Sequence, residues 1–134
     1  MNTKSITITY RALTILFFVA MILDAFGGIT RQEAGQEVMR HLGYPVYVLT
    51  IFGIAKLLGA IAILQNRYRI IKEWAFAGFT FNFIGAILSR AFVGDEAALL
   101  IPPLGMIVYT LATRYFWTRF EQAREGNFRQ LVHA

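Results

Sequence analysis

The stretch YPVYVLTIFGIAKLLGAIAILQ, residues 44–65, carries one charged side chain, Lys56, and no polar face. As a helix rising about 1.5 Å per residue it is long enough to cross the roughly 30 Å hydrocarbon core of a bilayer. A helix on the surface of a small soluble domain needs a polar stripe for water, and this one has none. The stretch is therefore predicted to span a membrane.

Three further stretches read the same way: residues 10–29, with Arg11 at the entry and broken beyond it only by Asp24; residues 71–93, with Trp74 near the entry; and residues 97–117, carrying Pro102-Pro103 and closing on Tyr115, Phe116 and Trp117. Aromatic residues of that kind suit the headgroup level. The first run is too long for a cleaved leader and its end lacks a small-x-small site. Between the first two spans, Thr30-Arg31-Gln32-Glu33 has the capping-box spacing, with Ala34, Val38, Met39 and Leu42 recurring behind it. A short amphipathic interfacial helix is expected there, stopped by Gly43. Asn66-Arg67-Tyr68-Arg69 is short enough to make the second and third spans antiparallel neighbours. The expectation is an all-α fold, a bundle of four transmembrane helices in a single domain of 134 residues, with residues 118–134 as a mobile or headgroup-bound tail. Asp24, Lys56 and Arg90 interrupt the apolar runs, so a buried soluble bundle is the competing reading. The apolar circumference of the helices argues against it.

Composition agrees. The hydrophobic set is 57% of the chain before glycine is counted, against ~45–50% with glycine in soluble domains. Charged residues supply 16%, too few to clothe a soluble particle of this size. The net charge of +5 does not point to nucleic acid, because the basic residues sit beside apolar segments instead of forming a stripe. No cysteine is present, which excludes thiol chemistry and iron–sulfur ligation. His41, in a connection, and His133, near the end, are not placed to ligate a haem between spans, so no intrinsic redox cofactor is expected.

Nine of the 13 Lys and Arg residues fall before the first span, between the second and third, or from Arg114 onward; Arg31, Arg40 and Arg90 fall on the other side. The positive-inside rule then places both termini in the cytoplasm.

At helical rise, Lys56, Asn82 and Tyr109 lie roughly 13–16 Å from the cytoplasmic boundary and Asp24 about one turn farther. Unpaired charge at that depth is costly, so Asp24 and Lys56 are expected to face the interior and neutralise each other. Gly78, Asn82, Gly85 and Ser89 recur at i, i+4, i+7 and i+11, a small and polar stripe predicted to face inward; Gly53, Lys56 and Ala60 do the same on the second span. Two readings stand side by side. In one, the stripes are packing seams and the ion pair is a structural bridge. In the other, Asp24, Lys56, Asn82 and Tyr109 are polar anchors of a lipophilic-ligand pocket, with Phe79, Phe83 and Met106 as apolar walls. A proton path would need more carboxylates than Asp24, with Glu73 near the boundary.

From His41 to Asp95 the chain resembles the DoxX-like family of small four-span membrane proteins. The resemblance rests on Leu42-Gly43-Tyr44-Pro45, Gly53-x-x-Lys56-Leu57-x-Gly59, Lys72-Glu73-Trp74-Ala75-x-Ala77-Gly78-Phe79 and the closing Gly94-Asp95. It implies a four-helix membrane bundle and, through better-known relatives, association with a thiosulfate-to-quinone oxidoreductase or other membrane redox assemblies. A bacterial cytoplasmic membrane is the localisation that goes with it. The expected role is a non-catalytic subunit or quinone-binding partner of an electron-transfer system; the alternative is a lipophile-binding or assembly-assisting protein without redox chemistry. Lipids, redox subunits and a second copy are the expected partners, and a quinone the expected ligand. Where family members often have His after the Ser of the third span, this chain has Ser89-Arg90, so a histidine-dependent role does not carry over.

Overall fold

The computed structural model describes residues 2–133. Five helices follow in order: α1 (Thr3–Ile29), α2 (Glu33–Leu42), α3 (Tyr47–Leu64), α4 (Arg69–Phe92) and α5 (Ala97–His133), with no strand among the described residues. α1, α3, α4 and α5 are long and apolar enough to cross a membrane.

Local chemistry sets their ends. Asn2 caps α1 by accepting from the Ser5 N–H at 2.8 Å, and Ile6 and Tyr10 are buried against the bundle, so the helix starts about two turns before the predicted Tyr10. α2 stops at Gly43, whose φ of 83° is left-handed, while the Tyr44 N–H returns to the Met39 carbonyl at 2.9 Å. Gln65 builds the α3–α4 turn almost alone: its Oε1 accepts from the N–H groups of Arg67 (2.8 Å) and Tyr68 (2.7 Å), and its Nε2 donates to the Ala62 carbonyl. Gly94, at φ 79°, turns the chain from α4 into α5.

α5 differs most from expectation. Its helix does not end at Trp117 but continues to His133. Trp117 is buried and Phe120 packs on the core, while Arg124 pairs with Glu121 one turn earlier and Arg69 reaches Glu125, each at 3.7 Å. Pro102 and Pro103 sit in the second turn, where each removes one backbone hydrogen bond, and the helix is unbroken across them.

α1 packs on α3, α3 on α4, α4 on α5 and α5 back on α1, a closed ring in which every neighbour runs antiparallel. The interior is aromatic. Phe17 meets Phe79 edge-on at 5.0 Å, Phe76 stacks on Trp117 at 5.6 Å, and Tyr10 stacks on Phe120 at 4.7 Å. Outward positions are apolar too, including Leu23, Leu58, Phe81, Phe92 and Val108. Apolar on both sides is what lipid demands of a helix. α2 buries nothing fully; Val38, Met39 and Leu42 lie half-buried on the side toward α3, with Glu33, Glu37 and Arg40 exposed.

The small and polar stripe of α4 does not face inward. A second stripe, Lys72, Phe76, Phe79 and Phe83, has the same spacing, and all four of its members are buried. The rings fill the interior and turn Gly78 and Gly85 outward, where an added Cβ would meet nothing within 4 Å.

Candidate functional site

Asp24 on α1 and Lys56 on α3 form an ion pair through Oδ2 and Nζ. Their helices meet closely just beyond it because glycine stands on both. A Cβ on Gly28 would lie 2.7 Å from the Leu49 carbonyl oxygen, and one on Gly53 would lie 2.9 Å from the Ala25 carbonyl oxygen and the Ile29 nitrogen. The pair is not sealed. The Lys56 side chain is 23% exposed and that of Asp24 is 52% exposed.

Two cavities meet at this pair, sharing Lys56 and Phe52. The first, of about 380 Å³, is a groove between α3 and α4 that opens sideways. Ala62, Ile71, Trp74 and Phe79 are among its walls; Gly59 and Gly78 keep it clear, and Lys56 and Asn82 are among its polar groups. The Phe79 ring leans into the space over Gly59, where a Cβ would stand 2.8 Å from the ring edge. The second cavity, of about 480 Å³, lies between α1 and α3 beneath α2. Asp24, Gln32 and Lys56 line it together with Gly35 and Met39 of α2.

Of the four anchors predicted from sequence, the structure thus brings Asp24 to Lys56 and sets Asn82 in the same groove as Lys56. Tyr109 is elsewhere: its hydroxyl donates to the Leu13 carbonyl at 2.9 Å and its ring stacks on Phe17. Phe79 belongs to the core and also walls the groove, Phe83 belongs to the core, and Met106 packs against it. The Glu73 carboxylate receives both Nε and a terminal nitrogen of Arg114, at 3.1 and 3.2 Å, and ties α4 to α5.

Asp95 closes the α2 end. Its two oxygens receive His41 Nε2 at 2.5 Å and Arg90 at 3.1 Å, joining α2 to the α4–α5 turn, and Tyr44 bonds Ser89 beside them at 2.6 Å. The His41 hydrogen bond, assisted by the Arg90 guanidinium, holds the Asp95 carboxyl below its ordinary range. Arg31, at a left-handed φ of 53°, reaches Thr50 through Nε at 3.0 Å and accepts from Gln36 at its carbonyl. Four side-chain contacts, His41–Asp95, Tyr44–Ser89, Arg31–Thr50 and Gln36 to the Arg31 carbonyl, therefore hold the α1–α2–α3 connection, with little buried surface to help.

Sequence reasoning assigned Lys72 to a cytoplasmic boundary. The structure buries it completely. Its ammonium donates to the Tyr10 hydroxyl, to Asn66 Oδ1 at 2.7 Å and to the Gln65 carbonyl at 3.3 Å, and lies 4.9 and 5.3 Å from the ring centroids of Tyr10 and Trp117. The signal was its place at the head of the aromatic stripe.

Among the described residues no three of His, Cys, Asp and Glu come together as a metal site. The site offers a ligand apolar walls, two donors in the groove and a carboxylate in the cavity beneath α2. No curated protein and no solved structure matches the chain. A family model described as the DoxX-like family matches residues 12–113, which include every residue named as lining the two cavities, and the chain belongs to that family.

Proposed function

We propose that this protein is a non-catalytic membrane subunit that holds a quinone-class lipophile for an electron-transfer partner. One observation carries the reading: an apolar groove opening sideways from the bundle ends on two hydrogen-bond donors, Lys56 and Asn82. Quinone carbonyls accept hydrogen bonds, and an isoprenoid chain suits walls made of Ala62, Ile71 and Phe79. A sideways opening suits a ligand that arrives from the lipid. Gly78 and Gly85, free of neighbours on α4, would allow a partner subunit or a second copy to approach closely. Both termini lie in the cytoplasm of a bacterial cell in this reading, with α2 on the outward-facing surface of the membrane, which the distribution of Lys and Arg supports. Reporters fused after Ala134 and inserted near Gln36 check that orientation; an externally accessible tail would reverse it.

Titration of a long-chain ubiquinone into the protein in lipid nanodiscs tests the binding. Saturable binding should weaken in Lys56→Met and Asn82→Leu by roughly tenfold each, the value of a charged or well-placed hydrogen bond. It should survive Arg124→Ala and Arg129→Ala in the projecting part of α5. Equal binding by all four variants, or none that saturates, favours the alternative of a lipophile-binding or assembly-assisting protein without redox chemistry.

A further inference from the structure

The two cavities differ in the hydrogen-bonding sense of their polar groups. In the groove Lys56 can only donate, and Asn82 presents an amide. Beneath α2 the same Lys56 is joined by Gln32 and by Asp24, whose carboxylate can only accept. Its Oδ2 is engaged by Lys56, yet the side chain remains half exposed, so the carboxylate keeps accepting capacity directed at open space. At this depth water is scarce, and a carboxylate with free lone pairs favours any donor that arrives.

We infer that the cavity beneath α2 is a second compartment of the same site and takes a neutral head group that donates a hydroxyl hydrogen bond to Asp24. The inference rests on the lipophile-binding reading above. Charge selects the class of head. Asp24 and Lys56 already cancel, so an ionised head would bring uncompensated charge into the cavity, whereas a hydroxyl completes the carboxylate without adding any. Gln32, whose side chain lies over Gly27, adds an amide able to donate or accept at the rim. The volume, about 480 Å³, falls within the ~300–1,000 Å³ of small-molecule sites and holds more than one hydroxyl. Lys56 and Phe52 are common walls of both cavities, so a molecule laid across these two residues would place its chain in the groove and its head under α2. α2 has no fully buried residue, so displacing it to admit the head breaks the His41–Asp95 and Tyr44–Ser89 contacts without opening the core.

The test uses the full chain in lipid nanodiscs and three probes: geranylgeraniol, its methyl ether, which keeps the chain but cannot donate, and the long-chain ubiquinone. Wild type should bind the alcohol roughly tenfold more tightly than the ether. Asp24→Asn should reduce that preference to about twofold or less, since an amide is a weaker acceptor than a carboxylate. Because Asp24→Asn also leaves Lys56 without its partner, Met39→Trp provides an independent arm. It fills the cavity from α2 without touching the pair, and should lower alcohol affinity at least as far. Equal binding of alcohol and ether by wild type, or an alcohol preference that survives both variants, overturns the inference. If ubiquinone still saturates in that case, only the second compartment falls; if neither ubiquinone nor alcohol saturates, the groove reading falls with it.

Discussion

Two lysines lie within the bundle, Lys72 beside the α3–α4 turn and Lys56 at the middle of α3, and they are held in opposite ways. At the α3–α4 turn Lys72 has no exposed surface; its hydrogen-bond acceptors are all neutral, and two aromatic rings close over it. Toward α2, Lys56 has a full carboxylate partner, yet the pair opens onto two cavities. Ring packing explains the difference. Tyr10, Phe76, Trp117 and Phe120 fill the first end, whereas glycine and alanine line much of the second. An ammonium surrounded by filled space serves the fold, and one bordering open space can serve a ligand. The presence of a charge inside the membrane does not by itself distinguish the two; the volume beside it does.

The comparison breaks most readily at Trp117. Truncation to Ala opens a large cavity beside Lys72 and removes one ring over the ammonium, and should lower stability by about 3–5 kcal/mol in a detergent-melting or denaturant titration. Trp117→Phe should cost far less, because the indole N–H has no hydrogen-bond partner to lose. Phe52→Ala, at the junction of the cavities and 41% exposed, should cost under about 1 kcal/mol. A Phe52→Ala loss equal to that of Trp117→Ala would mean that the α2 end is as firmly packed as the other.

Glycines give the next largest contrast. Gly28→Ala and Gly53→Ala would press a methyl against backbone atoms at 2.7 and 2.9 Å, so α1 and α3 must part, at about 1–3 kcal/mol. Gly78→Ala and Gly85→Ala meet nothing and should be neutral or stabilising by up to ~1 kcal/mol in the isolated protein. Should the α4 substitutions instead disrupt a detergent-resistant oligomer, that face is an interface.

Much of this was legible in the sequence. The apolar circumference of residues 44–65 establishes a membrane helix, and the Asp24–Lys56 pair follows from depth and charge. What misled was α4, where two stripes share one spacing. Small residues suit a helix seam, but Phe76, Phe79 and Phe83 gain more by filling the interior, and periodicity alone does not rank the two. Choosing the small stripe also hid Lys72, which appeared to be a loop cation because Arg67 and Arg69 precede it. Tyr109 shares the depth of Lys56 but not its side of the bundle, since rise per residue fixes height and leaves direction open. The continuation of α5 was readable in part: Glu121, Gln122, Ala123, Arg124 and Glu125 are good helix formers, and low hydrophobicity there marks the end of the membrane and not of the helix.

The ion pair sharpens the comparison at smaller cost. Lys56→Met leaves the Asp24 carboxylate unpaired, so the single variant should be less stable than Lys56→Met combined with Asp24→Asn. A coupling of about 0.5–3 kcal/mol is expected, toward the lower end because the pair is partly open. Strictly additive losses would show that the contact contributes nothing.

The smallest effect belongs to Asp95, which latches α2 to the α4–α5 turn through His41 and Arg90. Its carboxyl is held below the ordinary value when folded, so the unfolded chain takes up the proton first as pH falls. The stability Asp95 supplies is therefore fully present above the unfolded value, about 3.9, and disappears as pH drops through the lower folded value. Detergent melting of wild type and Asp95→Asn should show a gap at pH 7 that narrows only below about pH 4. His41→Ala removes the larger cause of the depression, so in that background the gap should be smaller at pH 7 and finish closing nearer the ordinary carboxylate value. Lys72, sealed at the far end among neutral acceptors, should leave the acid limb of the profile unchanged when Tyr10→Phe disturbs its site. An acid limb that shifts with Tyr10→Phe but not with His41→Ala would mean that the two ends do not melt as separately latched regions.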